Sequence, residues 1–179
     1  MAETGDKIRI NRAPVLTLWA AVVGERLGFD RATALTLGQA VAGMSAHAKG
    51  VSLGIIEPKP ELVREHGERL AAGERLHVDL LGRAVPVVRT PAGLRALAKG
   101  KPGDPGQVER YLAGKFKDRL EESREAMAEL AAAFEPEELH RRGFRLYESF
   151  RPGVPVGERG WGAVGELDLA AIRAQKPAG

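Results

Sequence analysis

Two spacings in this chain are those of catalysis or nucleotide binding, and both lack the elements that would make them work. Gly50-Val51-Ser52-Leu53-Gly54 has the G-x-S-x-G spacing of a serine hydrolase, in which a strand, a strained turn and a helix expose the hydroxyl. Here the motif follows a helical pattern and precedes Ile55-Ile56-Glu57-Pro58, with no series of alternating strands and helices around it. A triad with His66 or His77 and Asp79 would be coincidence, and Gly50 is better read as a helix stop. Gly160-Trp161-Gly162-Ala163-Val164-Gly165 has the G-x-G-x-x-G spacing. A dinucleotide site needs a strand before that motif and a crossover to a second strand after it. Pro152 and Pro155 precede it and one short helix follows, so NAD binding is dropped.

Little else points to catalysis. Without Cys, disulfides, thiolate chemistry and Cys-ligated metals are excluded. His47, His66, His77 and His140 show no metal-ligand spacing, and His140 leads into Arg141-Arg142, which repel a cation. Glu121, Glu122, Glu125 and Glu129 read as a solvated helix face. No catalytic residue, metal or cofactor is assigned.

Two binding surfaces remain. Around Leu27-Gly28-Phe29 the spacing suits a helix-turn-helix, with Val23 and Gly24 before the turn and Ala34 and Leu37 after it. In that reading Arg31, Thr33, Thr36 and Gln39 point towards bases or phosphates, and a basic hairpin with Arg83 and Arg89 acts as a wing. The same spacing also serves an ordinary helical hairpin that builds the core. The second surface is the tail, where Arg151 and Arg159 beside Trp161 can contact an anionic group, and where Trp161 can equally anchor the tail to the core.

The elements that position these residues follow from periodicity. Residues 11–27 carry Val15, Leu18, Trp19, Val22, Val23 and Leu27 on one helical stripe, with Asn11 as N-cap and Gly28 as stop. Asp30 caps a second helix to about Lys49, where Gly38, Ala42 and Ala46 allow a neighbouring helix to come close. A short helix over 61–72 follows. Leu76–Leu80 and Ala84–Val88 read as a hairpin, and Pro86 places its second strand at an edge or a bend. Residues 98–106 read as a linker or exposed loop. Asp104, Pro105 and Gln107 start one long helix whose stripe runs Val108, Leu112, Phe116, Leu120, Met127, Leu130 and Phe134. That stripe can bury itself against the first helices or against its own copy in a homodimer. Glu135-Pro136 opens another helix with Leu139, Gly143, Leu146, Tyr147 and Phe150 inward. A Gly-rich tail and a short helix near Asp168 follow.

The expectation is a mainly α fold: a helical hairpin, a small β-hairpin, a long C-terminal helix and a Gly-rich tail. Residues 1–101 and 102–179 form its two parts, co-folded as one unit. Charge is uneven. Residues 59–101 hold nine Lys/Arg against five Asp/Glu, and 102–150 hold eight against eleven, although the whole chain is only +3. A nucleic-acid binder with that balance must concentrate its positive charge. No signal peptide or membrane span is legible, which points to the cytoplasm. The excess of Arg over Lys and the scarcity of Asn and Gln suit a thermophile, and a GC-rich genome gives the same bias.

Ile10-Asn11-Arg12-Ala13-Pro14-Val15-Leu16-Thr17-Leu18-Trp19, Ala46-His47-Ala48-Lys49-Gly50, and Phe150-Arg151-Pro152 through Gly160-Trp161-Gly162 together resemble a family of uncharacterised bacterial proteins. The resemblance covers most of the chain. It implies one co-linear unit and brings no activity, cofactor or catalytic residue with it.

Overall fold

The computed structural model describes residues 7–52, 76–98, 100–152 and 164–175, without the side chains of 46–52 and 164. The expected helix over 61–72, His66, most of the Gly-rich tail, Arg159 and Trp161 lie outside the described residues.

The molecule is not mainly α with a single hairpin. Among the described residues about 63% are helical and about 24% lie in strands, arranged as two antiparallel sheets. The first sheet joins the two ends of the sequence. Strand β1 (Lys7–Asn11) buries Ile8 and Ile10 and exposes Lys7 and Arg9, the period-two alternation of a half-buried strand. It pairs with β6 (Val164–Asp168), placing Ile8 opposite Leu167 and Arg9 opposite Glu166.

Helix α1 (Arg12–Arg26) follows β1 directly, and every residue from Pro14 to Gly24 is buried. It is the central helix, covered all round, which is why even Thr17 lies inside, its hydroxyl donating to Ala13 O at 2.9 Å. Asn11 occupies the N-cap position without a side-chain cap bond. At the other end Gly28 adopts φ +112°, Gly28 N–H donates to Glu25 O and Phe29 N–H to Gly24 O. These are the two bonds of a Schellman stop, which only a residue tolerant of positive φ completes without strain.

Helix α2 (Arg31–Ser52) begins at Asp30, whose carboxylate accepts the Thr33 N–H at 3.2 Å. Hydrogen bonding from the Thr33 hydroxyl holds the Asp30 carboxyl below its ordinary pKa. Gly38 is where the two helices meet: a Cβ there would overlap the carbonyl oxygen of Thr17 and press on Ala21 N. Of the small-residue stripe read from the sequence, Gly38 makes this close contact.

The second sheet is a meander of β2 (Leu76–Leu80), β3 (Arg83–Thr90), β4 (Gly93–Ala98) and β5 (Lys101–Pro102). Leu81 (φ +50°) and Gly82 (φ +79°) form the left-handed two-residue turn that matches strand twist. Leu81 tolerates that conformation because its side chain is buried in the notch left by Gly143, where a Cβ would collide with Leu81 Cδ2. Within the stretch read as a linker or exposed loop, Lys101–Pro102 pair with the end of β4 as β5. Strand β3 is not an edge strand. Its register with β4 ends at Val87 opposite Ala96, one residue short of Pro86, so the proline's missing N–H falls where that ladder has already stopped.

Helix α2 covers the free edge of β4. Ala96 N–H donates to Thr36 Oγ1 at 3.0 Å, and Thr33 Oγ1 lies 2.8 Å from Leu94 O. The Thr36 hydroxyl satisfies a backbone N–H that would otherwise be an exposed ladder position. Replacing Thr36 with Val is expected to orphan the buried Ala96 N–H and cost about 2 kcal/mol. Hydrogen exchange checks it: the Ala96 amide should lose protection beyond the global change.

The expected long helix is two. After α3 (Pro105–Phe116), capped by Asp104 accepting the Gly106 N–H, the chain breaks at Lys117 (φ +56°) into a 3-10 turn, Lys117–Arg119. Helix α4 (Leu120–Ala132) and α5 (Pro136–Phe150) follow, and α6 (Leu169–Ala174) closes the described chain with Asp168 as its cap. Val108, Leu112, Phe116, Leu120, Met127, Leu130 and Phe134 are all buried in the chain's own core. That stripe leaves no apolar face for a second copy.

Candidate functional site

The surfaces proposed from sequence are placed differently by the fold. Of the helix-turn-helix candidates, Thr33 and Thr36 are 1% exposed and engaged by β4. The stretch Thr33–Gly38 is wholly buried, so Thr33 and Thr36 do not present their hydroxyls to bases or phosphates. Arg31 stays exposed at its first turn, where its Nε lies 3.6 Å from Glu25 Oε2, and Gln39 is half-buried. Arg83 donates from Nε to Ser45 Oγ at 3.2 Å, about 21 Å of helix rise away from Arg31. Arg89 is exposed on β3 opposite Leu94. Arg83 thus lies far from Arg31, while Arg89 sits on the part of the sheet that the first turns of α2 cover.

Arg151 has a second cation beside it, Arg12, that the sequence did not suggest. It follows α5 directly, and Arg12 Nε donates to the carbonyl of Pro152 at 2.7 Å. Burial, and then the neighbouring Arg151, hold the Arg12 guanidinium below its ordinary pKa. Burial pushes the Tyr147 hydroxyl well above its usual range; it donates to Arg12 O over a long 3.5 Å. The bond to a carbonyl just past a helix C-terminus is one that a cation there makes favourably. The structure therefore accounts for this cluster as the tie between the start of α1 and the end of α5.

The most distinctive polar group is Arg124, in α4. Its side chain is 9% exposed, held between helices, and Nη2 donates to Glu109 Oε2 on α3 at 3.0 Å. Its Nε is sealed from solvent and has no partner among the described residues. A buried cation with unmet N–H groups is expensive, several kcal/mol where the charge is poorly compensated. Arg124 forms part of the wall of a hollow of about 440 Å³ between α1, the first turn of α2, and α4. Val22, Ala128 and Ala131 supply its apolar surface, while Arg31 and Glu25 stand at the rim.

Arg26 closes one end of this hollow and is fully employed. Its Nη2 donates to Phe134 O at 2.8 Å, and its Nε lies 3.4 Å from Ala131 O, so it satisfies carbonyls at the end of α4. A second hollow, beside Leu27, Pro136 and His140, is more open, and its polar residues Glu137, His140 and Arg141 are all exposed. Among the described residues no cluster of three His, Asp or Glu could hold a metal, and no helix is long and apolar enough to cross a membrane.

Arg124 was not singled out from the sequence, yet a signal existed. It lies four residues after Leu120 and three before Met127, on the apolar stripe itself. A charge at such a position must be buried or must break the pattern.

Comparison with protein-family profiles, curated proteins and solved structures finds no match. Functional argument therefore rests on the geometry of these residues.

Proposed function

We propose that the chain is a binding protein for a small organic anion, taken into the hollow between α1, α2 and α4. The observation that carries this reading is Arg124, a guanidinium nine-tenths removed from water with only one of its nitrogens matched by Glu109. An oxyanion in the hollow that Arg124 lines adds negative charge beside a guanidinium that Glu109 alone compensates. Arg31, exposed at the rim and only loosely paired at 3.6 Å, provides a second cation that can turn to the same group. The apolar wall suits a short aliphatic body, as small-molecule sites commonly do. The reading involves no catalysis, and it goes with a cytoplasmic setting.

Thermal melting of the intact protein with butyrate or inorganic phosphate tests it. A ligand specific for the native state at about ten times its Kd should stabilise by about 1.4 kcal/mol and raise Tm by roughly 4 °C. Arg31→Gln, at an exposed position, should melt normally without ligand and show a smaller shift with it. Arg124→Lys keeps the charge but loses the planar fork and should respond least. No shift with either anion, or equal shifts in all three proteins, would contradict the reading.

Nucleic-acid binding ranks second, supported by Arg31 and Arg89 remaining at the surface. It requires gel-shift binding at low salt that falls steeply as salt rises. A homodimer would need a face other than the buried stripe of residues 108–134.

A further inference from the structure

Resting on that reading, we infer that the bound molecule is a zwitterion: a short aliphatic chain with a carboxylate at one end and an ammonium at the other. The placement of charge around the hollow carries this. Glu121, Arg124, Glu125 and Ala128 recur at i, i+3, i+4 and i+7 on α4, and all four line the hollow. The arginines there already have partners: Arg26 on two carbonyls, Arg31 beside Glu25, and Arg124 on Glu109. Glu121 and Glu125 have no ion-pair partner among the described residues, and like charges one helical turn apart repel.

A simple anion drawn to Arg124 must therefore settle close to two uncompensated carboxylates. A ligand with its own cation reverses that repulsion, its carboxylate meeting Arg124 and Arg31 while its ammonium faces Glu121 and Glu125. Val22, Ala128 and Ala131 line the space for the carbon chain between the two ends. Arg124 makes this more than an acidic surface patch. The positive end of the site is a guanidinium nine-tenths removed from water, and the negative end lies on the same helix face.

Butyrate and 4-aminobutyrate form a matched pair, sharing a carbon skeleton and differing in the ammonium. Calorimetric titration of the intact protein should find 4-aminobutyrate bound roughly five-fold more tightly than butyrate, the scale of exposed ion pairs. In the double variant Glu121→Gln/Glu125→Gln, both positions being exposed, the preference should vanish while butyrate binds at least as well as before. Equal affinities in the wild type, or a preference that survives in the variant, would overturn the zwitterion inference. If both ligands still bound in an Arg31-dependent way, the anion site itself would stand. Binding of neither would remove the site and the inference together.

Discussion

Replacing Gly38 with alanine is expected to destabilise the protein by about 3 kcal/mol, lowering Tm by roughly 8 °C. Alanine is the better helix former by about 1 kcal/mol in isolation, so propensity alone predicts the opposite sign. Contact geometry decides the matter. The added methyl would overlap the Thr17 carbonyl oxygen and crowd Ala21 N, both backbone atoms of α1 that no rotamer change can move. Helices α1 and α2 would have to separate, loosening the packing of Leu16, Val41 and their neighbours. Gly43, on the same helix with open space around its added Cβ, is the control: alanine there should be neutral or mildly stabilising. Chemical denaturation of the two variants measures both effects.

Trp19→Ala should cost about 4 kcal/mol, the scale for removing a large aromatic from a core. The indole is fully buried and meets Phe150 edge-on at 5.4 Å between centroids. Its Nε1 donates to Gly143 O at 2.9 Å, which joins α1 to α5 at the point where Leu81 plugs in. Truncation leaves both a cavity and a carbonyl without its partner. Trp19→Phe keeps much of the apolar volume and loses the bond, and should fall about midway. Equilibrium unfolding separates the two contributions, and equal losses would show that the ring volume Phe retains contributes nothing.

These two residues also show what sequence can and cannot convey. Gly38 stood out because small residues one turn apart announce a close helix contact, and Asp30, Gly28 and Asp104-Pro105 announce helix ends by local chemistry. Strand β6 carries no such signal, and β1 offers only the brief alternation of Ile8 and Ile10. Each is five residues long with charged residues between its few apolar ones, and each becomes a strand only because its partner arrives from the far end of the sequence. The break at Lys117 is equally silent. Neither Gly nor Pro marks it, and the apolar spacing continues across it as though the helix were intact.

The candidate site divides in the same way. Arg31 was visible as a surface cation, but Thr33 and Thr36 read as polar contacts and proved to be hydroxyls that close the edge of β4. Glu121 and Glu125 looked like a solvated face, and they are exposed. Their role in the proposed site comes from the buried Arg124, three residues after Glu121 and one before Glu125, on the same hollow. Burial of an ionic group depends on which helices meet, a tertiary fact that a single helix pattern reveals only as an anomaly on its stripe.

The most direct measurement is a titration of isotope-labelled protein with 4-aminobutyrate, following arginine side-chain Nε–Hε and backbone amide resonances. The Arg124 Nε–Hε signal should move in step with amides of Val22, Ala128 and Ala131, and a single Kd should fit them all. Movement confined to Arg12 and Arg151, or to Arg83 and Arg89, with Arg124 unchanged, would contradict the assignment of ligand binding to this hollow.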